Sequence, residues 1–263
     1  MIKSEGERIQ KILANAGLGS RREMEQQIRA GRVTLNGRDV QLGARAQATD
    51  QICLDGRLIQ QRTRKTRFML LYNKPEGELV TRADPQGRTT IYDQLPPVPE
   101  GRWISVGRLA INSSGLLLLT NDGELAHRLM HPRYQLAREY AVRIRGLVTP
   151  EKLQQLVQGI KLEDGWARFE EIVESGGEGI NRWFHVVLME GRKREVRRLW
   201  QAVGTEVSRL KRVRYGPIIL NSAVKAGQWR ELDKAERKAI LQAVQLKTDT
   251  CWGKLPHRSA KQR

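Results

Sequence analysis

Residues 107–125 read GRLAINSSGLLLLTNDGEL. The apolar run Leu116-Leu117-Leu118-Leu119 stops at Asn121-Asp122-Gly123, and a short apolar run bounded by turn formers reads as a strand. The same pattern precedes it, with Phe68-Met69-Leu70-Leu71-Tyr72 running into Asn73-Lys74-Pro75-Glu76-Gly77. Two clearer helical periods interrupt the strands further on. One lies around 151–159, with Leu153 and Leu156; the other, from about 194 to 203, sets Val196, Leu199, Trp200 and Val203 on one stripe and leaves Arg194, Arg197 and Arg198 off it. Short strands mixed with a few helices predict an α+β domain with a mostly antiparallel sheet. Gly176-Gly177-Glu178-Gly179 reads as a loop turn in preference to a phosphate cradle.

Upstream of this domain the periodicity changes. Ile9, Ile12, Leu13 and Ala16 recur at helical spacing and Gly17 stands at the cap position. Ser20-Arg21-Arg22-Glu23 has the form of a capping box opening a second helix that carries Met24 and Ile28 and ends at Gly31. Val33-Thr34-Leu35 and Val40-Gln41-Leu42 then flank Asn36-Gly37, a hairpin signal because both turn residues tolerate positive φ. The expected organisation is a small N-terminal unit over 1–61, a polar linker over 62–66, the larger domain over 67–246 and a basic, disordered tail over 247–263.

Charge limits the partners. With 47 Lys+Arg against 29 Asp+Glu the formal net charge is +18, which favours a polyanion. Arg21, Arg22, Arg29 and Arg32 crowd the second predicted helix and its exit, where they suit a phosphate backbone, although a solvated basic face would carry the same residues. No run of about 18 apolar residues is present, so no membrane span is expected. The first residues lack an apolar signal core, which gives a cytoplasmic expectation. Cys53 and Cys251 are far apart, and His127, His131, His185 and His257 show no ligand spacing, so no metal is expected. The hydrolase, P-loop and zincin motifs are absent.

Residues 107–125 resemble the signature of the bacterial ribosomal-RNA pseudouridine synthases, usually Gly-Arg-Leu-Asp followed by a Thr/Ser-Ser-Gly-Leu stretch. The resemblance continues through LYNKPEGELVTRADPQGRTTIYDQLP, HPRYQLAREYAVRIRG, GGEGINRWFHVVLMEGRKREVRRLWQAVG and VSRLKRVRYGPI, covering about residues 7 to 245. ERIQKILANAGLGSRREMEQQIRAGRVTLNGRDVQLGARA resembles an S4-like RNA-binding domain. Position 110 departs from the signature: Ala110 stands where the family keeps its catalytic aspartate.

The resemblance implies an isomerase that breaks the C1′–N1 bond of a uridine and rejoins C1′ to C5, with no cofactor. Its substrate would be large-subunit (23S) ribosomal RNA, free or in a precursor ribosomal particle, and the protein would be a monomer. A carboxylate must act as nucleophile or base, and the methyl of Ala110 does neither. By the same resemblance Tyr140 stacks on the target base, Arg197 pairs with the catalytic carboxylate, and Val196 packs under the base. Arg108 contacts the RNA backbone or fills the space left by the extruded nucleotide. Lys74 sits at a turn near the cleft, where a structural role serves equally well. Arg192, Lys193 and Arg194, with Arg209, Lys211, Arg212 and Arg214, extend a phosphate-holding surface. The expectation is therefore a synthase whose present copy is inactive; the alternative is a non-catalytic RNA-binding ribosome-assembly factor.

Overall fold

A computed structural model describes residues 6–60, 66–247 and 251–255. In the N-terminal unit a short pairing of Glu7–Arg8 with Arg45–Ala46 precedes the helices α1 (Ile9–Asn15) and α2 (Arg21–Arg29). Ser20 and Glu23 form the expected capping box, which satisfies two amides that the helix itself leaves open. A small sheet follows: β1 (Val33–Leu35), β2 (Arg38–Asp39), β3 (Ile52–Leu54) and β4 (Arg57–Ile59), in the order β2-β1-β3-β4. Asn36 and Gly37, at φ 50° and 79°, make the two-residue turn between β1 and β2. The return strand stops at Asp39, sooner than Val40-Gln41-Leu42 suggested, but Val40 still turns inward beside Ile9, Leu13, Met24 and Ile28.

The larger domain is built on β5 (Met69–Lys74), β6 (Ile104–Val106), β7 (Ser114–Thr120), β8 (Arg138–Arg145), β9 (Ile160–Leu162), β10 (Gly165–Ala167), β11 (Glu171–Glu178), β12 (Asn181–Leu188), β13 (Glu206–Tyr215), β14 (Ile218–Ile219) and β15 (Trp229–Glu231). Its helices are α3 (Gly123–Met130), α4 (Pro150–Gln158), α5 (Glu195–Ala202) and α6 (Lys234–Ala243). Nine strands form one sheet in the order β11-β12-β8-β13-β7-β5-β15, with β14 on β13 and β6 on β7. Every pair in it is antiparallel except β13 with β7, where Lys211 and Arg212 face Ser114 and Gly115. The fold is α+β with a mostly antiparallel sheet, as the residue pattern implied.

Both faces of the central strands are covered. Leu117 and Leu119 join Tyr140, Val142, Leu199 and Trp200 on one face, while Leu116 and Leu118 join Leu125, Leu129, Ile240 and Leu241 on the other. A strand buried on both faces has no polar alternation, which is why four leucines run together. Two helices escaped the sequence reading. α3 starts within the Asn121-Asp122-Gly123 turn, where the Asp122 carboxylate accepts from the amides of Glu124 and Leu125 and so caps the helix. α6 opens with a capping box of its own, Asp233 with Glu236. The glycines at 176–177 lie inside β11 beside a bulge, so the expected loop is the end of a strand.

The expected linker falls mainly on residues outside those described, and so does most of the expected tail. Residues 251–255 correct that expectation. The Arg67 amide donates to the Cys251 carbonyl, Trp252 packs with the Ile240 core under the Arg237 guanidinium, and Leu255 is buried. The apolar Trp252 and Leu255 give this segment surface to bury, which a purely basic tail lacks.

Candidate active site

The 107–113 loop between β6 and β7 is fixed from three sides. Lys74, at the end of β5, is fully buried, and its ammonium donates to the carbonyls of Pro75 (2.8 Å), Ser113 (2.8 Å) and Ala110 (3.3 Å). The Gly77 amide donates to the Ile111 carbonyl at 2.8 Å. From α5, Arg197 donates one Nη to the Asn112 carbonyl (2.8 Å) and the other to the Val207 carbonyl (2.7 Å). Each such bond contributes about 1 kcal/mol net, and together they leave the loop little freedom. Burial pulls the Lys74 ammonium down to about 8 and lowers the Arg197 guanidinium from its ordinary value.

This loop forms one wall of an inner cavity of about 80 Å³. Ala110, Arg108 and Ser113 face it from the loop, Tyr140 from β8, and Val196 and Arg197 from α5. Arg192 and Arg194 complete the rim, and a wider cleft of about 680 Å³ that Lys193 also lines continues outward from the same residues. The structure thus brings Ala110, Tyr140, Arg197, Val196, Arg108, Arg192 and Arg194 to one pocket. Tyr140 is buried, and a register shift in β8 between Glu139 and Tyr140 adjusts its direction against β13. Arg194 caps α5 with a left-handed backbone, φ 52°, a strained conformation for a non-glycine residue of a kind that clusters at functional sites.

One buried donor at this pocket has no partner. The Nε of Arg197 is shielded from solvent and has no hydrogen-bond partner among the described residues. Across the cavity, position 110 offers only a methyl group. A buried N–H left without an acceptor costs on the order of 1–3 kcal/mol, and a carboxylate would remove that deficit.

Several expected phosphate ligands are otherwise engaged. Arg192 holds both Glu190 oxygens (2.8 and 3.0 Å) and the Trp166 carbonyl (2.8 Å), tying the β9–β10 hairpin to the pocket rim. Arg198 closes the same hairpin through a bidentate pair with Asp164. Arg212 is buried and donates to the Leu116 carbonyl, and Arg214 pairs with Glu139, so neither belongs to an open basic surface. Strand alternation explains this: Arg209 and Lys211 point outward while Arg212 turns toward the Tyr215 ring. Lys74 lies beneath the loop and lines neither cavity, so its place is structural. In the N-terminal unit Arg32 is held by Asp55 (2.5 and 2.7 Å) and Gln27, whereas Arg21, Arg22 and Arg29 stand exposed on α2. The cations with no partner among the described residues around the pocket are Arg108, Lys193 and Arg194.

Glu195 joins the pocket although no motif marks it. It is buried at 3% exposure, lines the inner cavity and accepts the Arg192 amide through Oε2, while its Oε1 has no hydrogen bond among the described residues and lies 3.9 Å from the Arg192 Nε. Burial raises its pKa. The available signal is a lone acid inside Arg192-Lys193-Arg194-Glu195-Val196-Arg197-Arg198. Asp122, the other carboxylate near the signature, caps α3 and pairs with Arg67, and lines neither cavity.

Comparison with known proteins adds to this geometry. Residues 68–202 match the family described as RNA pseudouridylate synthase, and residues 7–52 match the S4 domain. The chain is 54% identical over 245 residues to ribosomal large subunit pseudouridine synthase B of Pseudomonas aeruginosa, covering 92% of this chain and 64% of that protein. It is 53% identical to the proteins of the same name from Vibrio cholerae and Escherichia coli K12, covering 77% and 85% of them and 92% and 93% of this chain. A crystal structure of a pseudouridylate synthase superposes with a TM-score of 0.63 at 25% identity, covering 89% of this chain and all of that one.

Proposed function

The chain belongs to the RNA pseudouridylate synthases, with an S4 domain ahead of the synthase domain, and from that premise we propose that it is built to isomerise one uridine of large-subunit (23S) ribosomal RNA to pseudouridine. The present copy, with Ala110 in place of an aspartate, binds its RNA without completing the reaction. The observation that carries this reading is the single pocket lined by Ala110, Tyr140 and Arg197, where the buried Arg197 Nε has no hydrogen-bond partner among the described residues.

The chemistry assigns work to each side chain. The target uridine leaves its stack, at a cost of a few kcal/mol, and Arg108 stands at the rim to occupy or brace the gap. Tyr140 presents a flat apolar ring to the base, with Val196 packed beside it. Breaking C1′–N1 leaves uracil to turn within the cavity and re-form the glycosidic bond through C5. The C5 proton is lost and N1 gains one, so the product is an isomer and no redox group is consumed. A carboxylate at position 110, held by the Arg197 Nε, would attack or deprotonate at the sugar or base; alanine supplies neither action. Arg108, Lys193 and Arg194 neutralise the phosphates around the opening.

The second reading, a ribosome-assembly factor that docks on RNA without chemistry, is favoured by one observation: position 110 carries only a methyl group while Arg108, Lys193 and Arg194 beside it stand open to a phosphate backbone. Release of tritium from 5-tritiated uridine in a ribosomal-RNA stem-loop separates the two. The chain as it stands should release none above background. Ala110→Asp should gain at least ~10³-fold, since losing a central catalytic group costs several orders of magnitude. A silent Ala110→Asp protein that still binds the RNA would favour the assembly factor.

A further inference from the structure

The wall of the wider cleft leads out of the pocket. Its residues Leu79, Val80 and Thr81 run directly into Arg82, whose guanidinium lies 4.4 Å over the Tyr92 ring and donates to the Trp103 carbonyl. That bond brings Arg82 beside Arg102, the neighbour of Trp103. Arg102 is half-buried, and no hydrogen bond or ion pair holds its side chain among the described residues. The third member comes from the N-terminal unit: Arg21 opens α2 and reaches the larger domain, with its Nη2 3.8 Å from where a β-carbon on Gly123 would sit.

Three guanidinium groups therefore converge where the two domains meet, and one carboxylate acts on Arg102 among them. That carboxylate, Glu23, is already committed, since it accepts the Ser20 amide at 2.5 Å in the capping box of α2. The charge on Arg102 is opposed first by burial and then by Arg82, with Arg21 adding to the repulsion and Glu23 offsetting only part of it. Like charges gathered in a partly desolvated place raise the energy of the free protein, and an anion relieves it. A phosphodiester fits, because guanidinium forks match its oxygens and the seam continues the path from the pocket rim.

We propose that Arg21, Arg82 and Arg102 form a phosphate-binding seam that carries the RNA backbone from the rim of the pocket across the domain boundary onto α2. The inference rests on the RNA-binding reading above and adds a path for the strand. It differs from that reading in predicting that residues outside the pocket set part of the affinity.

The test measures binding of a ribosomal-RNA stem-loop by the full chain, with Ala110 unchanged, between about 50 and 200 mM salt, where each neutralised phosphate adds nearly one unit to the log–log slope. Arg102→Gln should flatten the slope by about one and weaken binding several-fold, while its thermal midpoint stays level or rises because a repelled charge has gone. Arg102→Lys should keep most of the slope. The seam is overturned if Arg102→Gln matches the parent in slope and affinity, or if affinity falls only together with the thermal midpoint. A parent chain that shows no salt-dependent RNA binding would overturn the functional reading as well.

Discussion

Arg197 does two jobs with one guanidinium. Its Nη atoms hold the Asn112 and Val207 carbonyls, which fix the loop carrying Ala110 against β13, and its buried Nε has no hydrogen-bond partner among the described residues. Lys74 supports the same loop from below, and its protonation gives a measurable signature. Burial holds its pKa at about 8 against an ordinary 10.5, so above pH 8 the folded chain has lost a proton that the unfolded chain still binds. Stability contributed by this residue therefore rises as pH climbs from about 8 to 10.5. In urea unfolding the gap between the parent and Lys74→Met should widen across that window by roughly 1–3 kcal/mol. A gap that narrows through pH 8 would mean that the loop needs the full ammonium charge. Spacing alone placed Lys74 at a turn but did not show whether its amine points into the cleft or under the loop, because that depends on which carbonyls surround it.

The joining of β7 to β13 is the decisive event among the elements, since this parallel pair brings the signature loop beside α5. Gly115 makes the contact possible. It adopts φ +102°, and a β-carbon there would lie 2.2 Å from the Arg212 carbonyl oxygen, a backbone atom that cannot move aside without breaking the strand pair. Gly115→Ala should cost at least about 2 kcal/mol of stability, from the unfavourable backbone conformation together with the clash, and should loosen RNA binding at the pocket more than at the N-terminal unit. A thermal midpoint equal to the parent's would show that the sheet tolerates the extra carbon. Much at this scale was legible in the residues: the α2 capping box, the Asn36-Gly37 turn, the leucine strand and the stripe on α5 all follow from local chemistry. α3 was hidden because the turn residues Asn121-Asp122-Gly123 also serve as a helix start, and no local pattern chooses between the two uses. The burial of Arg212 was hidden for a related reason, since the register that turns it inward is set by β7 and β8, far away in sequence.

At the scale of the molecule, the +18 charge is unevenly used. Arg32, Arg192, Arg198 and Arg214 are paired with acids, while Arg108, Lys193, Arg194 and the cations at the domain junction are left for an outside anion. Composition alone announced a polyanion; which cations meet it depends on tertiary ion pairs that no charge count reveals. On the proposed function, the domains, the pocket between β8 and α5, and the open rim would serve to present one extruded uridine to position 110. Nucleotide-resolution mapping of pseudouridine in bacterial ribosomal RNA, in cells where this chain or its Ala110→Asp variant is the only source of the activity, tests that account most directly. The account expects no modification from the chain as it stands and one new pseudouridine in the large-subunit RNA from the variant. Pseudouridine made by the Ala110 chain, or none made by a folded and RNA-bound Ala110→Asp chain, would contradict it.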